Sequence, residues 1–227
     1  MSVRNPAQPG ALGAGFSLPI FINKQNKFLF GFIMFFSAAV MYTASNRLHI
    51  FPPQLLPMTR VDETVPLVPW TLWIYLSEYF FFAIIYAITR DYTNLNKYWY
   101  SFLALQTVSV TIFWLWPTTF PRDLYPIPAD IDQITYYAFQ SLRATDTAAN
   151  CCPSLHVSSV YLSSFVFLDE QKRKFPFFFI WGTLIAFSTL TTKQHYLVDV
   201  IVGMVMSVIF YYVFHRWIQY RPATPKL

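Results

Sequence analysis

The residues best suited to chemistry are a histidine and an aspartate four positions apart, His195 and Asp199. At that spacing the two side chains share one face of a helix. The carboxylate can accept the proton of one imidazole nitrogen, which fixes the tautomer and leaves the other nitrogen free to act as a nucleophile. The pair therefore predicts nucleophilic or general acid–base chemistry.

A second reactive segment, Pro153-Ser154-Leu155-His156, has the features of a helix start. Proline is favoured in the first turn, and the Ser154 hydroxyl would lie beside backbone N–H groups that have no partner within the helix. Those amides and the helix dipole favour negative charge. His156 is therefore predicted to lie next to a site for an anion.

Basic side chains near these two segments could complete a phosphate site. Arg122 and Arg143 lie in the connection before His156, and Lys193 is two positions before His195. Phosphoryl transfer depends largely on positioning and on cations or amides directed at the equatorial oxygens. The aspartates of the connection, at 123, 130, 132 and 146, are too scattered to indicate a magnesium site. We therefore expect no metal and no other cofactor.

The composition indicates a membrane protein. Of the 227 residues, 55% are hydrophobic and only 12% are charged, which argues against an ordinary soluble protein. The net charge of +5 is scattered among apolar segments, so nucleic-acid binding is not indicated. The only cysteines, Cys151 and Cys152, are adjacent, which excludes a disulfide framework and does not fit zinc spacing.

Apolar runs near the length of a membrane helix predict an all-α integral membrane fold with six transmembrane helices. Proline and charge clusters separate the runs. The predicted spans are 28–44, 69–89, 98–116, 153–168, 175–192 and 196–214. The fourth is the shortest and is rich in serine. We expect a flexible N-terminal segment over 1–26, a catalytic domain over 27–216 and a C-terminal tail over 217–227.

The distribution of Lys and Arg predicts the orientation, because basic residues are retained on the cytoplasmic side. Eleven of the 16 lie on the side of both termini and five on the other side. Both termini are therefore expected in the cytoplasm, and the connections 45–68, 117–152 and 193–195 face outward. Because 153–168 crosses inward and 175–192 returns, His156 and His195 are predicted to meet at the outer face. The short chain fits a bacterial inner membrane, with the site facing the periplasm.

The chain resembles the type 2 phosphatidic acid phosphatase superfamily, the lipid phosphate phosphatases, in the order of three features. These are Pro153-Ser154-Leu155-His156, a helical hairpin that crosses the membrane inward and returns, and His195-x-x-x-Asp199. The resemblance covers about half of the chain. It implies that His195 takes the phosphoryl group as a phosphohistidine, that Asp199 orients His195 and that His156 protonates the leaving oxygen. It also implies that Ser154 and the Leu155 amide hold phosphate oxygens.

The chain departs from the family pattern at several phosphate ligands. Leu155 stands where the family usually has Gly, Ser188-Thr189 replaces Ser-Arg, and Pro precedes Arg122 where the family has Arg-Pro. Arg143 and Lys193 are the candidates to replace the missing charge. Similar Pro-Ser-Leu-His and His-Tyr-x-x-Asp motifs occur in inositol phosphorylceramide and sphingomyelin synthases, which transfer phosphorylated head groups between lipids.

We therefore expect a lipid phosphatase acting on a lipid phosphate at the outer face. The enzyme alternative is a phosphotransferase that moves a phospho-head-group to a lipid or polyol hydroxyl. The non-enzyme alternatives are a transporter of a phosphorylated solute, a haem protein and an inactive scaffold. Glu78, inside the second span, is compatible with either a proton relay or a neutral structural role. The oligomeric state and the roles of Cys151 and Cys152 stay open.

Overall fold

The computed structural model describes residues 17–222, which are mostly helical. The helices are α1 (Lys27–Arg47), α2 (Arg60–Thr64), α3 (Thr71–Leu76), α4 (Glu78–Ile88), α5 (Tyr92–Leu115), α6 (Gln133–Thr145), α7 (Leu155–Asp169), α8 (Phe175–Thr191) and α9 (Leu197–Tyr212). The described residues also contain two short pairs of parallel strands: β1 (Ser17–Ile20) pairs with β4 (Gln219–Pro222), and β2 (Gln54–Leu55) pairs with β3 (Thr118–Thr119).

Each of the six expected spans coincides with helical structure. The second is divided at Ser77 into α3 and α4, and the sixth ends in a π-helical turn, Val213–Trp217. Helix α5 begins earlier than expected because the Asp91 side chain caps it by accepting the N–H groups of Thr93 and Asn94. Its start is therefore set by a cap and not by the apolar run.

Among the described residues, three helical stretches are long and apolar enough to cross a membrane: Lys27–Arg47, Thr71–Ile88 and Leu197–Trp217. Helices α7 and α8 are shorter apolar helices. The apolar stretches expose large hydrophobic side chains such as Phe32, Phe80 and Ile201. A bilayer is the solvent that suits such surfaces, and we describe the chain as a membrane protein.

The serine-rich helix α7 lies at the centre of the bundle, in contact with α4, α5, α8 and α9. Twelve of its 15 residues are buried. Its hydroxyls bond to neighbouring helices: Ser163 lies 2.8 Å from the Tyr98 hydroxyl, and Ser159 accepts a hydrogen bond of 3.1 Å from Gln106. Small polar residues at helix interfaces allow close packing in a membrane, so the serine content of α7 is explained by its burial among other helices.

A glycine on α9 brings that helix against the start of α7. A Cβ atom at Gly203 would lie 2.7 Å from the Ser154 carbonyl oxygen and 3.2 Å from Cβ of Val157. Only a residue without a side chain allows this approach. Because His156 lies at the start of α7 and Asp199 in the first turn of α9, the contact holds the two halves of the site together.

The terminal segments of the described chain are packed, and they include parts of the predicted segments 1–26 and 217–227. Strand β1 pairs with β4, and Ile22 is almost fully buried. The Asn96 side chain accepts the N–H groups of Phe21 and Ile22. The packed part of the described chain therefore begins at residue 17, whereas 1–16 and 223–227 lie outside the described residues.

Candidate active site

The His195–Asp199 pair lies at the start of α9. The Nδ1 atom of His195 is 3.4 Å from Oδ2 of Asp199. The same oxygen accepts the backbone N–H of Tyr196 at 2.9 Å, so the carboxylate is also held by the helix that carries it. Asp199 is fully buried and His195 is buried. With its Nδ1 proton directed at the carboxylate, His195 presents the lone pair of Nε2.

The second imidazole faces that lone pair. The Nδ1 atom of His156 lies 3.4 Å from Nε2 of His195, although 39 positions separate the residues in sequence. The other nitrogen of His156, Nε2, lies 2.5 Å from the Tyr75 hydroxyl and 3.2 Å from Oε1 of Glu78. One continuous row of contacts therefore runs from the Asp199 carboxylate through the two imidazoles to the Glu78 carboxylate.

Local structure explains how His156 reaches this position. Ser154 caps α7 by accepting the N–H of Val157, and its own N–H donates to the Asp199 carbonyl oxygen. The Ser154 hydroxyl is thus used as a cap. Leu155 is the first residue of the helix, where the backbone N–H lies outside the intrahelical ladder. His156 follows within the same turn, so cap, amide and imidazole are close together.

The three basic side chains expected to bind phosphate each have a protein partner. Arg122 bonds to the Asp146 carbonyl oxygen and lies 3.7 Å from its carboxylate. The guanidinium of Arg143 donates to the Tyr125 carbonyl oxygen at 2.8 Å. The Asp146 carboxylate therefore offsets the charge of Arg122, whereas the contact of Arg143 is to a carbonyl oxygen and leaves its charge unpaired by that contact.

Lys193 is buried close to His195. Its ammonium group donates to the Asp62 carbonyl oxygen at 2.8 Å and lies 4.3 Å from the centre of the Tyr125 ring. Burial lowers the pKa of Lys193, and the nearby Asp62 carboxylate opposes that change. Lys193 and His195 line the same small pocket, together with Asp62 and Phe120. Of the three basic residues, Lys193 is the one that shares a pocket with the His195 side chain.

Several residues at the site were not singled out from the sequence. Tyr75 touches His156, and Tyr42 bonds to the Asp146 carboxylate. Asp62 accepts the Leu197 N–H at 2.7 Å and so fixes the start of α9. Glu78, in contrast, stands out in the sequence as a lone carboxylate within an apolar run.

One group of side chains could hold a cation. Ligand atoms of Cys151, His195 and Asp199 all lie within 4.8 Å of one another, and Oδ1 of Asp199 is buried without a partner among the described residues. Burial raises the pKa of the Cys151 thiol well above its ordinary value. Cys151 would have to lose its proton to act as a metal ligand.

Comparison with known proteins agrees with the geometry. A search of curated proteins finds no significant match. A family model described as PAP2 superfamily matches residues 39–213, a range that includes both histidines, Asp199 and Glu78. Members of this superfamily are generally phosphatases or phosphotransferases. The match covers most of the chain and confirms the resemblance seen in its motifs: the protein belongs to the PAP2 superfamily.

Proposed function

We propose that the protein cleaves a phosphate ester of a membrane lipid by double displacement, with His195 as the nucleophile. The observation that carries the proposal is the contact of 3.4 Å between Nε2 of His195 and Nδ1 of His156, with Asp199 behind the first imidazole. A nucleophile, its orienting carboxylate and a proton donor are thereby assembled at one point.

In the first half of the reaction, Nε2 of His195 attacks phosphorus. The P–N bond forms as the bond from phosphorus to the lipid oxygen breaks, and His156 gives its Nδ1 proton to that oxygen. The products are a phosphohistidine and a lipid alcohol. In the second half, His156 takes a proton from water as the water oxygen attacks phosphorus. The P–N bond then breaks and phosphate is released.

The neighbours of His156 support its assignment as the acid and base. A proton on Nε2 faces the Glu78 carboxylate, 3.2 Å away, so the exchangeable proton is left on Nδ1, the nitrogen that faces His195. Glu78 is buried, and its other oxygen has no partner among the described residues. We assign Glu78 as a positioning residue for His156, parallel to the role of Asp199 for His195.

Positive charge and backbone amides would stabilise the phosphoryl oxygens. Lys193 shares a pocket with His195, and the Leu155 amide lies at the start of α7. Arg122 and Arg143 add charge in the same region. Such fixed charges stabilise a transferring phosphoryl group, so the chemistry requires no metal ion.

We place the reaction at the outward face of the membrane. The support is the excess of Lys and Arg on the opposite side, eleven against five. A bacterial inner membrane with the site toward the periplasm is the setting proposed. A lipid whose head group lies at this face of the membrane can react without leaving the bilayer.

The test is turnover by the purified protein with a panel of lipid phosphates and phosphodiester lipids. We expect phosphate release or new phospholipid from at least one of them, and a protein-bound phosphate with the acid-labile, base-stable behaviour of phosphohistidine. His195→Ala should lose both signals. His49→Ala, a change at an exposed histidine away from the site, is the matched control and should keep them. Undiminished activity of His195→Ala would refute the assignment.

A further inference from the structure

The two cysteines have no part in the proposed reaction, yet Cys151 lies next to the His195–Asp199 pair. Its backbone N–H donates to the Thr118 carbonyl oxygen at 3.2 Å. Its Sγ atom lies 3.9 Å from the carbonyl oxygen of Gln194, the residue before His195. The residue is buried, with 2% of its surface exposed. Cys151 is therefore held between strand β3 and the turn that carries His195.

Three ligand atoms of different chemical type come together at this point. They are Sγ of Cys151, a ring nitrogen of His195 and a carboxylate oxygen of Asp199, all within 4.8 Å of one another. The Asp199 side chain is fully buried, and its Oδ2 atom accepts the Tyr196 N–H and faces His195. Its Oδ1 atom has no partner among residues 17–222. A buried carboxylate oxygen without a partner is costly, and a bound cation would satisfy it.

The spacing of these atoms is close to that around a tetrahedral metal ion. Ligand atoms at zinc distances are about 3.4 to 3.6 Å from one another in a tetrahedral site. Nδ1 of His195 and Oδ2 of Asp199 are already 3.4 Å apart. The longest separation in the group, at most 4.8 Å, would have to shorten by roughly 1 Å for a tetrahedral ion to fit. A small movement of the Cys151 side chain is therefore enough to complete three ligands.

The chemistry of the three ligands selects the kind of ion. Thiolate and imidazole favour Zn²⁺, whereas Mg²⁺ prefers sites made of oxygen ligands. Cys151 must lose its proton to bind a metal, and burial raises the pKa of this thiol. Only an ion that binds sulfur strongly can displace that proton. The group therefore fits Zn²⁺ and does not fit Mg²⁺.

The surrounding charges allow a divalent cation at this place. Arg122 lies 3.7 Å from the Asp146 carboxylate, which offsets its charge. The Lys193 ammonium donates to the Asp62 carbonyl oxygen, and the Asp62 carboxylate is also close to it. The thiolate and the Asp199 carboxylate bring two negative charges to the group itself. These two charges balance those of one divalent ion.

We propose that Cys151, His195 and Asp199 form an inhibitory site for Zn²⁺ or a similar thiophilic ion. With the ion on Nδ1 of His195, the neutral imidazole carries its proton on Nε2. The lone pair that would attack phosphorus is then no longer available. The Nδ1 proton passes to Nε2 through solvent and the thiol proton is released, so each bound ion releases one proton. The inhibition rests on the proposed function, whereas the binding of the ion does not.

Inhibition is measured as the loss of phosphate release from the best substrate of the panel, with free Zn²⁺ set by a metal buffer. We expect Zn²⁺ to inhibit, EDTA to restore the rate and Mg²⁺ to have no effect. Loss of even an outer partner of a metal site costs roughly 10–100-fold in affinity. Cys151→Ala should therefore raise the Zn²⁺ concentration for half-inhibition at least tenfold.

The same change at the next residue, Cys152→Ala, is the matched control. Each variant is compared with its own rate without metal, and Cys152→Ala should keep the response of the natural sequence. Inhibition of Cys151→Ala at an unchanged Zn²⁺ concentration would overturn the inference, because the ion would then act elsewhere, such as between the facing nitrogens of His156 and His195. Full activity of the natural sequence in Zn²⁺ would also overturn it.

Binding of Co²⁺ tests the site without turnover, so an inactive protein would count against the proposed function alone. Co²⁺ takes the ligands of Zn²⁺, and its bond to a thiolate gives an absorption band in the near ultraviolet. We expect this band, with one Co²⁺ per protein, from the natural sequence and from Cys152→Ala. It should be lost in Cys151→Ala and in Cys151→Ser, which keeps the size of the side chain. Absence of the band in the natural sequence, or its presence in either Cys151 variant, would overturn the inference.

Discussion

The two imidazoles of the proposed site each face a carboxylate, and the two carboxylates differ in how they are held. Asp199 accepts a backbone N–H from its own helix as well as facing His195. Glu78 comes from α4 and reaches His156 on α7 across the bundle. The first pair is fixed by local helix geometry. The second depends on the packing of two helices that are distant in sequence.

We expect Asp199→Asn to lower kcat on the order of 10⁴-fold, the loss that follows the equivalent change in the serine protease triad, because the imidazole would no longer be held in the required tautomer. Phosphate release from the best substrate of the panel measures the effect. Asp123→Asn, at an exposed aspartate, is the control and should retain its activity. A loss below tenfold for Asp199→Asn would show that this carboxylate only supports the helix.

We expect Glu78→Gln to slow cleavage according to the leaving group, because Glu78 acts through the proton that His156 donates. With a lipid phosphate, whose alkoxide leaves poorly, kcat should fall roughly 10²-fold or more. With p-nitrophenyl phosphate, which needs little protonation, the loss should be below tenfold. Glu63→Gln, at an exposed glutamate, should alter neither rate. Equal losses with both substrates would assign Glu78 a structural role.

At the scale of single elements, the site depends on the close approach of α7 and α9. Gly203 allows this approach, and Ser154 links the two helices through its N–H and the Asp199 carbonyl oxygen. The separation of the two histidines is therefore a property of the helix pair. A small displacement of either helix would lengthen the contact of 3.4 Å between the imidazoles.

We expect Gly203→Ala to destabilise the protein by about 1–3 kcal/mol, because the added Cβ would meet backbone atoms that cannot move away. Activity should fall as well, since the two imidazoles would be pushed apart. The thermal unfolding midpoint in detergent and the turnover rate measure the two effects. Gly182→Ala is the control: its Cβ would meet the Ser164 side chain at 3.3 Å, which can adjust. Equal stability of the two variants would contradict this account.

The sequence predicts those parts of the site that follow from local rules. The spacing of His195 and Asp199 and the helix start at Ser154 are readable without tertiary structure. Tyr75 is one aromatic residue among many in apolar runs, and no spacing rule marks it as a neighbour of His156. Likewise, Ser159 and Ser163 make α7 look like a poor membrane span, because the sequence does not show that other helices surround it.

At the scale of the whole molecule, the family and the membrane setting are shown. The number of spans stays a prediction from the apolar runs, and the side of the site stays a prediction from the distribution of Lys and Arg. The predicted spans coincide with helices of the structure. Within residues 17–222, three helical stretches have the length and hydropathy of a membrane helix. Helices α7 and α8 are shorter, and α7 is enclosed by its neighbours, so length alone is a weak guide to the topology of a tightly packed bundle.

Labelling of single cysteines can decide the orientation. We expect His49→Cys to react with a membrane-impermeant maleimide in intact cells, and Lys172→Cys to react only after permeabilisation. Both positions are exposed and lie at opposite ends of the predicted topology. Background labelling should be small, because Cys151 and Cys152 are buried and burial raises the pKa of the Cys151 thiol. The reverse labelling pattern would place the histidines on the cytoplasmic side.

The hydrogen bonds of α1 bear on the cavity beside His156 that α1 and α4 help to enclose. Helix α1 is held at both of its ends, through Lys27 at one end and Asn46 at the other. Because each end is bonded to a neighbouring segment, we expect the spacing between α1 and α4 to change little. We therefore expect the width of this cavity, and not the rate of a gating motion, to limit which molecules reach His156.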